Sequence, residues 1–395
     1  MPFPALYLKK REEKRLFAGH LWIYSNEVDT KRSPLKEFNP GDCVNVLTAN
    51  GKPLGSAYIN PHSLIVARKF SERTNQVLDV EFFKTRFQQA LALRECFFHE
   101  PYYRLVFSEG DYLPGLIVDR YNQTFVLQVN TAGLENVKKE IILAIDELFN
   151  PETIVFRNDS GSRALENLER ITSVEKGSAS ESTQCKENDT QFSVDVLNGQ
   201  KTGWFYDQRI NRKNTLSMIK NKMVLDVFSY TGSWTVPIAN HGAESVTAID
   251  ISQPALDILV SNAEQNQVSD KITVLCDDAF NAMKELKNAN KSFDIVVIDP
   301  PAFIKRKKDL KEGGLAYQRA NQLAMSLVKS GGIIISSSCS YHMSLANLQN
   351  ALLRASRKLQ RPMQIIQYGG QGFDHPIHPA IEETNYLKTI FARIL

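Results

Sequence analysis

Cysteine is scarce and scattered. The five residues, Cys43, Cys96, Cys185, Cys276 and Cys339, are odd in number and never form a Cys-x-x-Cys pair. That argues against a disulfide framework and a thiolate zinc site. His241, His342, His375 and His378 have no metal-ligand spacing either, so no metal is expected. No run approaches the roughly 20 apolar residues that span a bilayer. The N-terminus lacks the apolar stretch and small-residue cleavage site of a secretory signal. A cytosolic location and no membrane partner are the resulting expectations. Charge of one sign is lacking too: a net charge of +3 over 395 residues does not announce a nucleic-acid partner, so the distribution of charge has to be read. No internal repeat is apparent.

With 43% hydrophobic and 23% charged residues, the chain can bury two to three cores. Residues 1–72 begin with a basic stretch, Lys9, Lys10, Arg11, Lys14 and Arg15, and continue into Trp22-Ile23-Tyr24. The β-like runs Val44 to Leu47, Gly55 to Ile59 and Leu64 to Lys69 follow, separated by Pro40-Gly41-Asp42, Asn50-Gly51 and Asn60-Pro61. This pattern predicts a small basic β-barrel. Residues 73–190 read as a central α+β domain. A helix carries Phe82, Phe83, Phe87, Ala90, Leu91 and Leu93, strands run over Arg104 to Phe107, Leu116 to Asp119 and Thr124 to Val129, and a second helix covers 134–149. The polar stretch Glu175 to Thr190 has no apolar period and reads as a surface loop or linker. Residues 191–395 alternate short apolar strands with helix-like segments, predicting a doubly wound α/β domain. Its strands are Val224 to Phe228, Val246 to Asp250, Ile272 to Leu275, Phe293 to Asp299 and Ile333 to Ser338, with the chemistry at their carboxyl ends.

Four successive strands of that domain end in carboxylates: Asp226, Asp250, the pair Asp277 and Asp278, and Asp299. Asp226 leads into Phe228-Ser229-Tyr230-Thr231-Gly232, a turn whose glycine can bring the backbone close to a ligand. Asp250 follows Gly232 by 18 residues, near the offset at which an acidic side chain meets a ribose hydroxyl. Single strand-end aspartates are commonly helix caps or turn formers; four in series point to a nucleotide-like ligand. A phosphate-binding loop is rejected at Gly199-Gln200-Lys201-Thr202, where Gln stands in place of the second glycine. Asp299-Pro300-Pro301-Ala302-Phe303 fixes an acidic side chain and an aromatic face on a stiff backbone, suited to gripping a planar base. Cys339, after Ser336-Ser337-Ser338, puts a thiol at the mouth of the fifth strand, which neighbours the fourth in the usual order of such sheets.

On these residues the chain resembles the bacterial 23S ribosomal RNA large-subunit cytosine-5 methyltransferase I family. The resemblance runs over nearly the whole length. Its marks are Leu113-Pro114-Gly115-Leu116-Ile117-Val118-Asp119-Arg120-Tyr121, Gly199 to Gly203 through Asp207-Gln208-Arg209, Phe228 to Gly232, and Asp299-Pro300-Pro301. Further marks are Ser338-Cys339-Ser340, Asp374-His375-Pro376 and Tyr386-Leu387-Lys388. The resemblance implies an N-terminal PUA-type RNA-binding barrel, a small central domain and a Rossmann-like methyltransferase domain. It implies that Asp226, Phe228, Asp250, Asp278 and Asp299 line an S-adenosylmethionine site, with Phe205 and Arg209 nearby, and that Cys339 is the nucleophile. Tyr230, Thr231, Gly232 and Asp277 join that cofactor set by their place on the same sheet edge. Pro300, Pro301, Phe303, Lys305 and Arg306 are candidates for the RNA. The run Lys305 to Lys308 is otherwise a solvated loop.

Two rivals stay open. Proline-rich fourth-strand motifs also serve rRNA guanine and adenine methyltransferases, which need no cysteine. A non-catalytic RNA-binding ribosome-assembly factor could keep the fold. The sequence does not decide whether the protein forms a homodimer.

Overall fold

In the computed structural model, which describes residues 2–179 and 182–395, two of the predicted turns, Asn50-Gly51 and Asn60-Pro61, join antiparallel strands, and Pro40-Gly41-Asp42 leads into the first of those strands. Ala5–Tyr7 (β1), Trp22–Tyr24 (β2), Cys43–Leu47 (β3), Pro53–Ile59 (β4) and Ile65–Ser71 (β5) form a sheet in the order β1-β3-β4-β5-β2. A short helix, Lys14–Phe17 (α1), joins the first two strands. The edges meet through an antiparallel bridge between Leu8 and Val28, which closes the sheet into a barrel around Leu6, Ile23, Val44, Val46, Ala57, Ile59 and Val66. Closure leaves no open edge on which another chain could pair.

The central region continues with Val80–Glu95 (α2), Tyr102–Phe107 (β6), Leu116–Tyr121 (β7), Thr124–Val129 (β8), Ala132–Glu135 (α3), Lys138–Phe149 (α4), Thr153–Asn158 (β9) and Ile171–Lys176 (β10). The sheet order is β10-β9-β8-β7-β6. The helix expected over 134–149 is therefore two helices, interrupted at Asn136 and Val137. Asp119 of β7 is fully buried and bidentate on Arg104 at 2.8 Å, and Thr202 donates its hydroxyl to the same carboxylate. Breaking a buried pair strands the partner charge, so Asp119→Ala should cost about 3–5 kcal/mol. Urea denaturation measures this; a loss under about 1 kcal/mol would remove the pair from the core's account.

The polar stretch Glu175 to Thr190 is not a loop throughout. It contains the end of β10 and Thr183–Glu187 (β11), which pairs with Thr190–Val194 (β12); Ser180 and Glu181 lie outside the described residues. The turn residues Asn188 and Asp189 both have left-handed φ, +49° and +56°, the backbone of a tight hairpin. Hydropathy hides the strand because one inward-facing residue is a charge. Glu187 is buried, with its carboxylate held by Arg212 at 2.5 and 2.8 Å and by Arg209 at 3.3 Å.

The predicted boundaries at 72/73 and 190/191 are contiguous, whereas the chain forms two compact units that are not. One comprises Met1–Thr183, Val194–Trp204 and Phe373–Thr384; the other comprises Gln184–Ser193, Phe205–Gly372 and Asn385–Leu395. Long-range polar contacts hold the returning segments in the first unit. Arg157 donates to the carbonyls of Val196 and Gly199, and Arg94 to that of Asp374.

All five strands predicted for the second unit are present. In chain order its elements are Arg209–Leu216 (α5), Met223–Val227 (β13), Thr235–Asn240 (α6), Ser245–Asp250 (β14), Gln253–Gln265 (α7), Ile272–Cys276 (β15), Ala279–Asn288 (α8) and Phe293–Ile298 (β16). Leu310–Ser326 (α9), Val328–Ser338 (β17), Leu345–Leu359 (α10), Met363–Gly369 (β18) and Lys388–Ile394 (β19) complete it. The sheet order is β15-β14-β13-β16-β17-β19-β18, parallel except for β19, which runs antiparallel between β17 and β18. Ile295 to Ile298 are all buried, as a strand covered on both faces requires. The chain steps from β13 outward to β15 and then returns to β16, so the crevice between β13 and β16 is the topological switch point where ligands bind.

Candidate active site

The loop after β13 is held in a strained path. Phe228 and Tyr230 adopt left-handed φ of +68° and +49°, a cost tolerated at sites that over-determine it. The amides of Phe228 and Ser229 both donate to Ile249 O, at 2.9 and 3.0 Å, and Tyr230 N donates to Asp250 Oδ2 at 2.9 Å. Gly232 is required by packing within the protein itself. Its φ is +86°, and a Cβ there would lie 2.7 Å from Leu259 and 3.0 Å from Val236, so it seats the loop against α6 and α7.

Asp226 is fully buried at the end of β13. Its Oδ2 accepts from the Thr235 hydroxyl at 2.6 Å, while Oδ1 has no partner among the described residues. The buried hydroxyls of Ser229 and Thr231 are likewise without partners. Orphaned polar atoms in a strand-end loop mark where a polar ligand completes the hydrogen bonding. Asp250 uses Oδ1 to accept from Ser252 N at 2.9 Å, which leaves outward lone pairs on both oxygens. Asp277 accepts from Asp278 N at 2.7 Å. Asp278 is in the first place a helix cap: its Oδ1 accepts from Phe280 N and Asn281 N at 3.0 and 3.1 Å.

Asp299 is held by two residues that the sequence reading missed. Gln208 Nε2 donates to its Oδ2 at 2.9 Å and Trp234 Nε1 to the same oxygen at 3.2 Å. Asn211 fixes the Gln208 amide by donating to its Oε1 at 2.7 Å. The motif Asp207-Gln208-Arg209 thus divides its work. Asp207 accepts from the Tyr386 hydroxyl at 2.5 Å, Gln208 orients Asp299, and Arg209 pairs with Glu187 on the hairpin. Arg209 is buried, and its guanidinium lies over the Tyr206 ring, 4.9 Å from the ring centre, as well as beside Glu187. Phe205 meets Tyr230 edge-on, with ring centres 5.6 Å apart.

Burial, with the neighbouring charges of Asp299 and Asp250, pushes the Asp226 carboxyl up to about 7. Burial chiefly, and Asp207 further, pushes Asp299 up to about 6, against hydrogen bonds from Trp234 and Gln208 that favour its charged form. A raised carboxyl binds its proton more tightly when folded. The stability it contributes is fully present below the ordinary value of 3.8 and is lost as pH rises through 6 and 7. Acidification from pH 8 to 6 should therefore stabilise the ligand-free protein by about 1 kcal/mol through Asp226. In Asp226→Asn that gain should be absent; equal gains in denaturant titrations of both proteins would contradict the assignment.

Cys339 follows β17, the neighbour of β16, and its Sγ lies 4.0 Å from Pro300 O. The flanking hydroxyls are fixed: Ser338 donates to the Tyr317 hydroxyl at 2.8 Å, Tyr317 and Ser340 share a bond at 2.9 Å, and Ile304 N donates to Ser340 at 3.3 Å. Lys388, opposite Ser338 on β19, donates to the carbonyls of Ser340, Tyr341 and Tyr386 at 3.3, 3.4 and 3.0 Å. Burial lowers its ammonium, and the Cys339 thiolate acts in the opposite sense. Phe303 packs edge-on between Tyr317, at 4.8 Å, and Phe228, at 6.3 Å. Pro300 is buried. Pro301, Lys305 and Arg306 are exposed, and Arg306 pairs with Asp309 at 3.2 Å.

Residues 6–72 match the PUA-like domain family, and residues 168–348 match the S-adenosylmethionine-dependent methyltransferase family. A Streptococcus mutans structure described as a SAM-dependent methyltransferase superposes with a TM-score of 0.82 at 22% identity, over 99% of this chain and 100% of that one. A second methyltransferase structure, complexed with SAH, gives 0.83 at 22% identity with the same coverage. The protein is an S-adenosylmethionine-dependent methyltransferase of Rossmann-like fold with an N-terminal PUA-like domain. Ribosomal RNA large subunit methyltransferase I of Vibrio vulnificus is 36% identical over 99% of both chains, and that of Klebsiella pneumoniae is 33% identical over 100% of this chain and 99% of that one. The chain belongs to the ribosomal RNA large subunit methyltransferase I family.

Proposed function

We propose that the protein methylates C5 of a cytidine in 23S ribosomal RNA, in the cytoplasm, through a covalent adduct between Cys339 Sγ and C6. The reading rests on one observation: Cys339 sits at the carboxyl end of β17, beside Pro300 and the Lys388 ammonium. A purine methyltransferase has no use for a thiol there.

Asp250 presents its outward lone pairs to the ribose hydroxyls of S-adenosylmethionine. Asp278 keeps Oδ2 for the adenine amine while Oδ1 caps α8, and Asp277 lies beside it. Asp226 with Ser229 and Thr231 supplies polar atoms for the methionine end. Phe205, Phe228 and Tyr230 wall the crevice. When bound, S-adenosylmethionine supplies an electrophilic methyl group on sulfur. The PUA-like barrel holds RNA through its basic stretch, and Lys305 and Arg306 meet phosphates flanking the target base.

C5 of cytosine is a weak nucleophile. The Cys339 thiolate adds its electron pair to C6, the C5–C6 double bond shifts its electrons toward N3, and C5 becomes enamine-like. As that charge makes N3 more basic, Asp299, whose proton affinity burial raises, is placed to share a proton with N3 and so stabilise it. After C5 is methylated, its proton leaves to a base and the C6–S bond breaks, restoring the double bond and the thiolate. A thiol with an ordinary pKa of about 8.5 is only a few per cent ionised at neutral pH. The Lys388 ammonium, which interacts electrostatically with Cys339, is the positive charge available to favour the thiolate. Lys388→Met should move the pH midpoint of Cys339 alkylation by iodoacetamide upward by about 1 unit, followed on the Cys339 peptide by mass spectrometry. An unmoved midpoint would take Lys388 out of the mechanism.

The reaction itself is tested by incubating the enzyme with unmodified 23S rRNA and methyl-labelled S-adenosylmethionine and digesting to nucleosides. Label in 5-methylcytidine supports the reading. Label in a methylated purine overturns it.

A further inference from the structure

Between α9 and α10 lies a groove of about 340 Å³, in the size range of small-molecule sites. Ile304 and Met343 line it beside the loops that carry Asp299 and Cys339, and Ile304 N donates to Ser340, the residue after Cys339. Gly314 and Gln318 on α9 and Asn347, Asn350 and Arg354 on α10 line the rest.

Its polar lining is open to a ligand. Gln318 is only 6% exposed, and its amide makes no hydrogen bond to another described residue. The exposed side chains of Lys311, Asn347, Asn350 and Arg354 have no hydrogen-bond or ion-pair partner among the described residues either, so all five are free to meet a ligand in the groove. Amides offer donors and acceptors together, as base edges do, and the two cations complement phosphate.

Two adjacent glycines in α9 separate packing from ligand space. A Cβ on Gly313 would lie 2.4 Å from Ile304 and 2.8 Å from Phe303 O, so close packing of the loop requires that glycine. Gly314 meets no atom within 4 Å. Glycine weakens a helix interior, and no protein contact here calls for it. The space above it belongs to the groove.

We propose that this groove holds an unpaired nucleotide of the RNA substrate next to the methylated one, its base read by Gln318, Asn347 and Asn350 and its phosphate met by Lys311 and Arg354. This rests on the RNA reading given above. Flipping a target base leaves its neighbour without a stacking partner on one face, and contacts to flanking nucleotides set sequence context, so a second recognised nucleotide makes methylation depend on the sequence flanking the cytidine.

The test uses the full-length enzyme, unmodified 23S rRNA containing 4-thiouridine, photo-crosslinking and peptide mass spectrometry. RNA should cross-link to peptides from α9 or α10. In Gly314→Leu, whose side chain fills the groove without touching the core, those cross-links should fall at least tenfold, while affinity for S-adenosylhomocysteine and the melting temperature hold. Cross-links that avoid both helices, or that persist in Gly314→Leu, overturn the proposal. Nucleoside analysis of the same reactions separates the two readings. Groove cross-links that are lost in the variant, without 5-methylcytidine in wild type, leave the groove standing and the chemistry wrong. Normal 5-methylcytidine formation by Gly314→Leu overturns the groove alone.

Discussion

Cys339→Ala is expected to lower the turnover of cytidine methylation by on the order of 10³ or more, the scale on which nucleophile deletions act. Without the thiolate, C5 has no route to enamine character, and the remaining groups only hold the base and the methyl donor together. Binding of S-adenosylhomocysteine should stay within about twofold, because a lost nucleophile removes chemistry and leaves ground-state binding in place. The thiol is half-buried, with Sγ 4.0 Å from Pro300 O. Alanine removes only the sulfur atom, so the loop should keep its fold. Cys339→Ser should be as inactive, since a serine hydroxyl is not ionised near neutral pH. Turnover retained within tenfold in either variant would return Cys339 to a packing role.

Asp250→Ala should weaken S-adenosylmethionine binding by about two orders of magnitude, from two effects on the scale of charge-assisted hydrogen bonds. The carboxylate no longer accepts from the ribose. It also no longer holds Tyr230 N and Ser252 N, and the left-handed conformations of Phe228 and Tyr230 lose an anchor. Asp250→Asn keeps an acceptor and should lose less. Calorimetric titration of both variants measures this; equal affinities for wild type and Asp250→Ala would remove Asp250 from the cofactor set.

Much of this was legible because strands buried on both faces are continuous apolar runs, and a carboxylate closing each run stands out against it. Asp226, Asp250, Asp277, Asp278 and Asp299 were singled out that way, and Cys339 by a thiol following such a run; the structure places all of them at or just beyond the ends of the parallel strands. What local pattern cannot carry is pairing over distance. Gln208 reaches Asp299 across 91 residues, Tyr386 reaches Asp207 across 179, and Lys388 comes beside Cys339 through the antiparallel insertion of β19. Trp234, six residues after Phe228, carried no polar signal, because its role is a single ring N–H on Asp299. The β11–β12 hairpin was hidden by a buried charge, Glu187, whose partners lie on α5. At Gly232 the positive φ fits close ligand approach and close helix packing alike, and local pattern could not show that Leu259 and Val236 leave no room for a Cβ there.

The covalent step is tested most directly with RNA in which cytidines are replaced by 5-fluorocytidine. Fluorine at C5 cannot leave as a proton, so a methylated adduct cannot release the cysteine. The account predicts a protein–RNA complex that survives denaturing gel electrophoresis, forms only with S-adenosylmethionine, and is absent for Cys339→Ala. Full methyl transfer to a purine, with no stable complex on fluorinated RNA, would contradict it.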